Sequence, residues 1–159
     1  MHKKSASLKH LWREDVEQRC FDAIKAALVN FTVLAFPDFG KPFLLLTDAS
    51  QNQLGAALVQ LDAEGTPHPI AFASTSLDDP QKRYGISDKE GLAVVWSTRL
   101  WRHYLHGSKT LVVTDHSALT SLTSKRDFTN SRLARYAMDL SEFDIEICHR
   151  PGKYHFLPD

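Results

Sequence analysis

The sequence predicts an α/β fold in which helices flank a five-stranded mixed sheet. Two apolar runs, residues 43–47 and 109–114, lack the polar alternation of a half-exposed strand, so each is expected to be covered on both faces. The strongest helical pattern, residues 87–105, lies between them and stops at His106-Gly107. A helical crossover favours parallel pairing of the strands that it connects. We therefore expect elements in the order βββαβααβ, preceded by one extra N-terminal helix.

The extra helix is predicted from the beginning of the chain. Apolar residues recur at helical spacing over residues 8–28, with Val16, Cys20 and Leu28 on one face. Residues 31–42 follow with two prolines and a glycine, which is typical of a connector. We place a domain boundary near Ala35. Residues 1–35 are then an N-terminal helix and connector, and residues 36–159 are one globular domain.

The remaining elements follow from shorter patterns. Residues 54–61 and 69–74 are separated by a turn-forming cluster, and with the first strand they predict a three-stranded meander. Small residues beginning at Gly55 would allow another molecule to approach the strand backbone closely. Two further helices and the last strand are predicted at residues 115–122, 130–140 and 143–148.

Composition excludes some classes of protein. The apolar runs are too short to span a bilayer, and residues 1–9 lack the apolar stretch of a signal peptide. Cys20 and Cys148 lie in apolar patterns far apart in the sequence, which favours buried free thiols and a reducing compartment. The 19 basic and 19 acidic side chains cancel. Net charge says little about nucleic-acid binding, however, if several of the acids hold metal ions.

Acidic residues at the ends of strands are the main functional signal. Asp48 and Asp115 each follow a threonine at the end of an apolar run. Parallel neighbouring strands would bring them together at the edge where open α/β sheets bind ligands. Adjacent carboxylates repel each other unless divalent cations bridge them, so the pair indicates a site for Mg²⁺ or Mn²⁺ in a metal-dependent nuclease. The alternative is that each aspartate caps the turn or helix that follows it.

Two further acids have local explanations of their own. Glu90 stands near the start of the long helix in Ser-Asp-Lys-Glu (87–90), and this is also a capping-box pattern in which Glu90 would bind the Ser87 amide. Asp159 lies in a polar tail and is uninformative by itself.

A series of longer motifs connects these acids. Together and in this order, they resemble the ribonuclease H domain of gypsy-type long-terminal-repeat retrotransposon polyproteins, over residues 11–159. Thr-Asp-Ala-Ser alone would be a weak signal, whereas the whole series is specific. The motifs are Val-Leu-Ala-Phe-Pro-Asp-Phe-Gly-Lys-Pro-Phe (33–43), Thr-Asp-Ala-Ser (47–50), Leu-Gly-Ala-Ala-Leu (54–58), Pro-Ile-Ala-Phe-Ala-Ser (69–74), Tyr-Gly-Ile-Ser-Asp-Lys-Glu-Gly-Leu-Ala-Val-Val-Trp (84–96), Trp-Arg-His-Tyr-Leu-His-Gly (101–107), Val-Val-Thr-Asp-His-Ser-Ala-Leu (112–119), Arg-Leu-Ala-Arg-Tyr (132–136), Phe-Asp-Ile-Glu-Ile (143–147) and Arg-Pro-Gly-Lys (150–153).

The resemblance implies a ribonuclease H-like fold with a metal-binding tetrad of Asp48, Glu90, Asp115 and Asp159. It places His149 where related enzymes have a loop histidine or tyrosine that assists turnover. It also implies that residues 11–35 lie at the junction with an upstream polymerase domain. Family members continue past the final aspartate, so we expect a domain truncated at its C-terminus, in which Asp159 is poorly held.

The implied reaction is hydrolysis of the RNA strand of an RNA–DNA hybrid. Two Mg²⁺ ions, for which Mn²⁺ can substitute, would take part, and the products would carry 5′-phosphate and 3′-hydroxyl ends. The implied partners are the hybrid and the polymerase domain of the same polyprotein. No membrane partner is expected, and the implied location is the cytoplasm, in virus-like particles.

Nucleic-acid contacts are predicted beside the first acid and on a later helix. Candidates for contact with 2′-hydroxyl groups, which are also ordinary turn residues, are Ser50, Gln51, Asn52 and Gln53. Candidates for phosphate contact, each of which fits a solvated surface equally well, are Arg83, Lys125, Arg126, Arg132 and Arg135.

Aromatic and histidine residues have simpler interpretations. Trp96, Trp101 and Tyr104 occur at helical spacing, which predicts core packing more strongly than base stacking. The histidines at 103, 106 and 116 show no pattern of metal ligands, and nitrogen and sulfur ligands would suit zinc better than an oxygen cage.

Two alternative functions stay open. An integrase-like strand-transfer enzyme also uses clustered acids on such a sheet, but it would leave the motifs at 33–43 and 150–153 unexplained. A captured retroelement domain that binds hybrid or protein without cutting belongs to another class. The presence of all four acids argues against lost activity, and the truncation argues for it.

Overall fold

A computed structural model of the protein describes residues 34–123 and 130–149. Several predictions fall outside these ranges: the helix at residues 8–28, most of the predicted N-terminal segment 1–35, and the side chains of Cys20, Lys125, Arg126 and Asp159. They stay predictions. In the described part of the chain, every helix is too short or too polar to span a lipid bilayer.

The described residues form strands and short helices in an order close to the predicted one. The strands are β1 (Phe43–Ala49), β2 (Gln53–Leu61), β3 (Pro67–Ser76), β4 (Thr110–Thr114) and β5 (Ile145–His149). The helices are α1 (Asp79–Lys82), α2 (Ile86–Leu100), α3 (Arg102–Leu105) and α4 (Ser131–Leu140), and a 3-10 helix covers Ser117–Ser121.

The strands make one mixed sheet in the order β3-β2-β1-β4-β5. β1 pairs antiparallel with β2, and β2 pairs antiparallel with β3, which is the predicted meander. β4 pairs in parallel with β1 on one side and with β5 on the other. The predicted five-stranded mixed sheet and the parallel pairing across the helical crossover are therefore confirmed.

The long predicted helix is interrupted. Residues 87–105 do not form one helix, because α2 ends at Leu100 and Trp101 leaves the helical conformation, with φ −103° and ψ 25°. The hydroxyl groups of Ser97 and Thr98 donate to carbonyls one turn earlier, at 2.7 Å each. Such bonds often bend helices. At this break Trp101, which is 5% exposed, packs in the core before α3 begins.

Two other elements differ from the sequence prediction. The helix predicted at 115–122 is the shorter 3-10 helix Ser117–Ser121. The short α1 was not predicted, although its signals were present. Asp78 and Gln81 form a reciprocal capping box around it, and Pro80 occupies its first turn.

The core lies between the sheet and the helices α2 and α4. Leu45, Val94 and Val112 are completely buried at its centre, and Trp101 joins them. Trp96 and Tyr104 pack against the same cluster. The aromatic residues predicted to be core are therefore core residues, and this packing fixes α2 across the strands that carry the acids.

Candidate metal centre

Asp48 and Asp115 leave the sheet side by side. The register of β1 and β4 runs from Phe43 opposite Thr110 to Leu46 opposite Val113. Two residues further along each strand stand Asp48, still within β1, and Asp115, directly after β4. Both side chains are exposed at this edge. The parallel pairing thus places two carboxylates where open α/β sheets bind ligands.

Glu90 reaches the same place from α2. It is only 3% exposed, and its carboxylate forms a hydrogen bond with the backbone of Ala49, the residue after Asp48. One carboxylate oxygen from each of Asp48, Glu90 and Asp115 lies within 4.8 Å of the other two. Among the described residues, Glu90 Oε2 is buried without a hydrogen-bond partner. A buried carboxylate oxygen that accepts no hydrogen bond calls for an explanation, and coordination of a cation would provide one.

The capping-box interpretation of Glu90 is wrong. α2 begins at Ile86, and its N-cap residue Gly85 makes no side-chain capping bond. Ser87 is therefore already inside the helix, and its hydroxyl binds His116 instead. Glu90 turns towards the sheet, so its carboxylate is available to the acidic group.

The three acids impose an electrostatic cost on one another. Burial, and then the charges of Asp115 and Asp48, together raise the pKa of Glu90 to about 7, while the Ala49 hydrogen bond opposes the shift. Glu90 therefore retains its proton at pH values where a solvated glutamate is ionised. A divalent cation would remove this conflict. A site made only of carboxylate oxygens fits Mg²⁺ or Mn²⁺ better than zinc.

A cleft of 450 Å³ surrounds the acids and contains a residue that sequence reasoning missed. Lys89 lines the cleft, is 8% exposed, and donates from Nζ to the carbonyl of Gln51 at 3.1 Å. It connects α2 to the turn after β1. The sequence offered only its place next to Glu90 as a signal, because the carbonyl that it binds is set by the tertiary fold.

His149 lies beside Asp115 at the end of β5. It pairs with Thr114 in the sheet, and its Nε2 donates to the carbonyl of Asp115 at 3.0 Å. The histidine therefore contacts the backbone of a candidate ligand. Its predicted role in turnover stays a prediction, as does the ligand role of Asp159, which lies outside the described residues.

The predicted 2′-hydroxyl contacts form the turn between β1 and β2. Ser50 Oγ accepts hydrogen bonds from the amides of Gln53, at 2.9 Å, and Asn52, at 3.3 Å. Its hydroxyl therefore already serves the turn. Gln51, Asn52 and Gln53 are exposed, and Gln51 also lines the cleft.

The two predicted phosphate-binding arginines of α4 differ in their surroundings. The Arg132 guanidinium is paired with the carboxylate of Asp88 and lies 3.7 Å from the centre of the Tyr84 ring. Asn130 Nδ2 donates to the same carboxylate at 2.7 Å. Arg135 is exposed. Arg132 thus ties α4 to the first turn of α2, whereas Arg135 faces solvent.

Comparison with known proteins gives consistent matches. A family model described as "RNase H-like domain found in reverse transcriptase" matches residues 38–143. The "Retrovirus-related Pol polyprotein from transposon opus" of Drosophila melanogaster is 39% identical over 147 residues, which cover 92% of this chain and 14% of that protein. The chain thus spans about one seventh of the length of this relative.

Two solved structures share the fold. "Structure of the foamy viral protease-reverse transcriptase in complex with RNA/DNA hybrid" matches with a TM-score of 0.59 and 18% identity, over 93% of this chain and 20% of that one. The RNase H1 of Halobacterium salinarum NRC-1 matches with a TM-score of 0.52 and 15% identity, over 70% of this chain and 87% of that one. The predicted ribonuclease H-like fold is therefore confirmed.

Proposed function

Because this chain belongs to the family of RNase H-like domains found in reverse transcriptases, we propose that it hydrolyses the RNA strand of RNA–DNA hybrids during retrotransposon reverse transcription. The observation that carries this proposal is the approach of Asp48, Glu90 and Asp115 within 4.8 Å. These side chains come from three separate elements.

The proposed cofactor is a pair of Mg²⁺ ions, for which Mn²⁺ can substitute. Asp48, Glu90 and Asp115 would hold them, with Asp159 as the predicted fourth ligand. Bound ions would activate a water molecule and stabilise the leaving 3′ oxygen, which gives 5′-phosphate and 3′-hydroxyl ends.

The residues of the chain have separate tasks in this reaction. Asp48 and Asp115 supply exposed negative charge at the mouth of the cleft. Below about pH 7, Glu90 holds a proton in the metal-free protein and would release it when its carboxylate becomes a ligand. His149 holds the Asp115 carbonyl and is the candidate for assisting turnover.

The proposed substrate is supported by the similar foamy viral protein, whose structure holds an RNA/DNA hybrid. In this chain, Gln51, Asn52 and Gln53 stand exposed beside the acids, where contact with 2′-hydroxyl groups in the shallow minor groove would distinguish RNA from DNA. Arg135 is the more accessible phosphate-binding candidate on α4, because Arg132 is paired with Asp88.

We also propose that the domain works beside a polymerase domain of the same polyprotein, in cytoplasmic virus-like particles. This rests on the similarity to a Pol polyprotein of which the chain covers only 14%. The integrase alternative receives no support from the family match, which is to reverse-transcriptase domains.

The test is cleavage of a labelled RNA–DNA hybrid in Mg²⁺ or Mn²⁺. Asp48→Asn should reduce the rate of cleavage by about 100-fold or more. It removes a proposed metal ligand, and the bound ions would stabilise the transition state by several kcal/mol. Asp144→Asn is the matched control. Asp144 is exposed and lies at the opposite end of β4, where its carbonyl accepts from the Thr110 amide.

Two results would count against the proposal. Cleavage that survives Asp48→Asn would exclude this site. Hybrid binding without cleavage, also in a chain extended past Asp159 with the residues that follow it in relatives, would support a captured domain that binds and does not cut.

A further inference from the structure

A hydrogen bond joins the two elements that carry Glu90 and Asp115. Ser87 Oγ and His116 Nε2 lie 2.7 Å apart, although the residues are 29 positions apart in sequence. Ser87 stands one helical turn before Glu90 and so shares its side of α2. His116 directly follows Asp115 and lines the cleft. The bond thus crosses from α2 to the segment after β4, at the rim of the acidic group.

The backbone around Asp115 is fixed from other directions as well. The amide of His116 donates to Thr114 Oγ1 at 3.1 Å, and Thr114 is completely buried. His149 Nε2 donates to the Asp115 carbonyl. These contacts hold Asp115 to the sheet. Among the described residues, the side-chain hydrogen bond that holds this segment to α2 is the one between His116 and Ser87.

The acids themselves work against this arrangement. The charge of Asp115 disfavours ionisation of Glu90, so the two side chains repel each other once Glu90 has lost its proton and no cation lies between them. Repulsion would favour a small displacement of α2 from the end of β4. A hydrogen bond between neighbouring residues of the same two elements resists that displacement, so the ligands are held ready for the cation.

We propose that Ser87 and His116 are positioning residues whose hydrogen bond sets the spacing of the Glu90 and Asp115 carboxylates for a divalent cation. The proposal rests on the proposed function, since it assumes that these acids bind the metal. The pair acts through the two ligands. A direct contact between His116 and the substrate is the competing role.

Isothermal titration of the full chain with Mn²⁺ separates these roles, because it needs no substrate. Ser87→Ala and His116→Leu each remove the bond and should weaken Mn²⁺ binding by about 5-fold, the effect of one typical hydrogen bond. The double variant should be no weaker than either single variant, because the same bond is lost in all three.

Conservative variants and matched controls make the result specific. Ser87→Thr retains the hydroxyl, and His116→Gln retains a polar atom at the ε position, so both should bind Mn²⁺ within about 2-fold of the unaltered chain. Ser131→Ala is the control for serine, at the exposed start of α4. His68→Leu is the control for histidine, at the opposite end of β3 from the cleft. Thermal unfolding of each variant reports whether the fold is retained.

Three outcomes would overturn the proposal. The first is a double variant whose fold-loss of Mn²⁺ affinity equals the product of the fold-losses of the two single variants. The second is unchanged Mn²⁺ binding in every variant together with reduced cleavage by the His116 variants, which would assign His116 to the substrate. The third is a loss of Mn²⁺ affinity in Ser87→Thr and His116→Gln as large as that in Ser87→Ala and His116→Leu, provided that thermal unfolding shows the conservative variants folded.

Asp48→Asn is run in parallel to test the proposed function separately. If it abolishes cleavage, the proposed function stands even when the positioning role fails; if it changes neither cleavage nor Mn²⁺ binding, the proposed function itself fails.

Discussion

The ring of Tyr136 lies directly against the backbone of Gly91. A Cβ atom at position 91 would stand 2.8 Å from Cδ2 of this ring and 3.1 Å from Cε2, closer than packed carbon atoms approach. Glycine therefore sets how closely α4 packs on α2. Because Gly91 follows Glu90 in α2, this contact also influences the distance between Glu90 and the sheet.

Gly91→Ala should lower the free energy of unfolding by about 1–3 kcal/mol, because the added methyl group overpacks the interface. This occurs although alanine has the higher helix propensity, by about 1 kcal/mol. Urea denaturation measures the change.

The control for Gly91→Ala is the same substitution in a Tyr136→Leu background. Without the ring, the helix propensity of alanine should dominate, so that Gly91→Ala becomes neutral or stabilising. Equal destabilisation in both backgrounds would show that the ring is not the cause.

Glu90→Gln should make the stability of the metal-free protein less dependent on pH. The pKa of Glu90 is raised from an ordinary 4.5 to about 7, first by burial and then by the charges of Asp115 and Asp48. Between these values the folded state holds a proton that the unfolded chain has lost. The free energy of unfolding therefore falls as pH rises through this window, by at most about 3 kcal/mol, and levels off above it.

Urea denaturation of both proteins in EDTA, from pH 4 to pH 8, measures this difference. The unaltered chain should lose stability relative to Glu90→Gln as pH rises. Parallel stability curves for the two proteins would contradict the raised pKa. Affinity for Mn²⁺ should rise over the same range in the unaltered chain, because binding must displace the proton.

Much of the sheet and of the acidic group could be predicted from the sequence, for identifiable reasons. Residues 43–47 and 109–114 are locally apolar, and the crossover rule then makes their strands parallel. Asp48 and Asp115 follow those runs, so their proximity can be predicted without knowing any other tertiary contact.

The features that could not be predicted depend on tertiary structure. The break at Trp101 coincides with the burial of that ring, and the hydroxyl of Ser87 has its partner, His116, 29 residues away.

Other parts of the site gave no local signal. Asp88 lies 44 residues from Arg132, and both have ordinary explanations as charged residues of a helix surface. Lys89 binds a carbonyl of a turn 38 residues away. Pairs of this kind are recognised only after the sheet has brought their elements together.

Asp88→Ala should destabilise the protein by about 1–2 kcal/mol. The side chain of Asp88 is only 11% exposed, although that of Arg132 is 38% exposed, and Asp88 also accepts from Asn130. Its removal leaves both donors without their acceptor, which costs more than the loss of an open surface pair. Urea denaturation gives the value.

Lys82→Ala is the control for Asp88→Ala, since it removes an exposed pair with Asp79 and should have little effect. Arg132→Lys should retain only part of the stabilisation that Arg132 provides, because lysine keeps the positive charge but lacks the flat guanidinium that stacks on Tyr84. Equal effects of Asp88→Ala and Lys82→Ala would show that the pair behaves as an ordinary surface contact.

Gly55→Val should weaken binding of the hybrid while leaving the fold intact. Gly55 pairs directly with Asp48 across β1 and β2, and a Cβ atom added there would meet nothing within 4 Å. The glycine is therefore not needed for packing. A side chain in this space would obstruct a duplex that approaches the acids, and we expect an increase in KM of about 10-fold, which corresponds to about 1.4 kcal/mol.

The melting temperature and Mn²⁺ affinity of Gly55→Val should match those of the unaltered chain. His68→Val, at the far end of β3, is the control for a branched residue on the sheet. An unchanged KM for the hybrid would mean that the duplex does not pass over Gly55.

The parallel register of β1 and β4 has a consequence for synthesis of the protein. Asp48 and Asp115 become neighbours through strands whose paired residues, such as Phe43 and Thr110, are far apart in the chain, and pairings of such long range form slowly. A ribosome that has produced only the first meander and α2 has made Asp48 and Glu90 but not their partner. We therefore expect the group of three acids to assemble only after the second half of this domain has emerged from the ribosome.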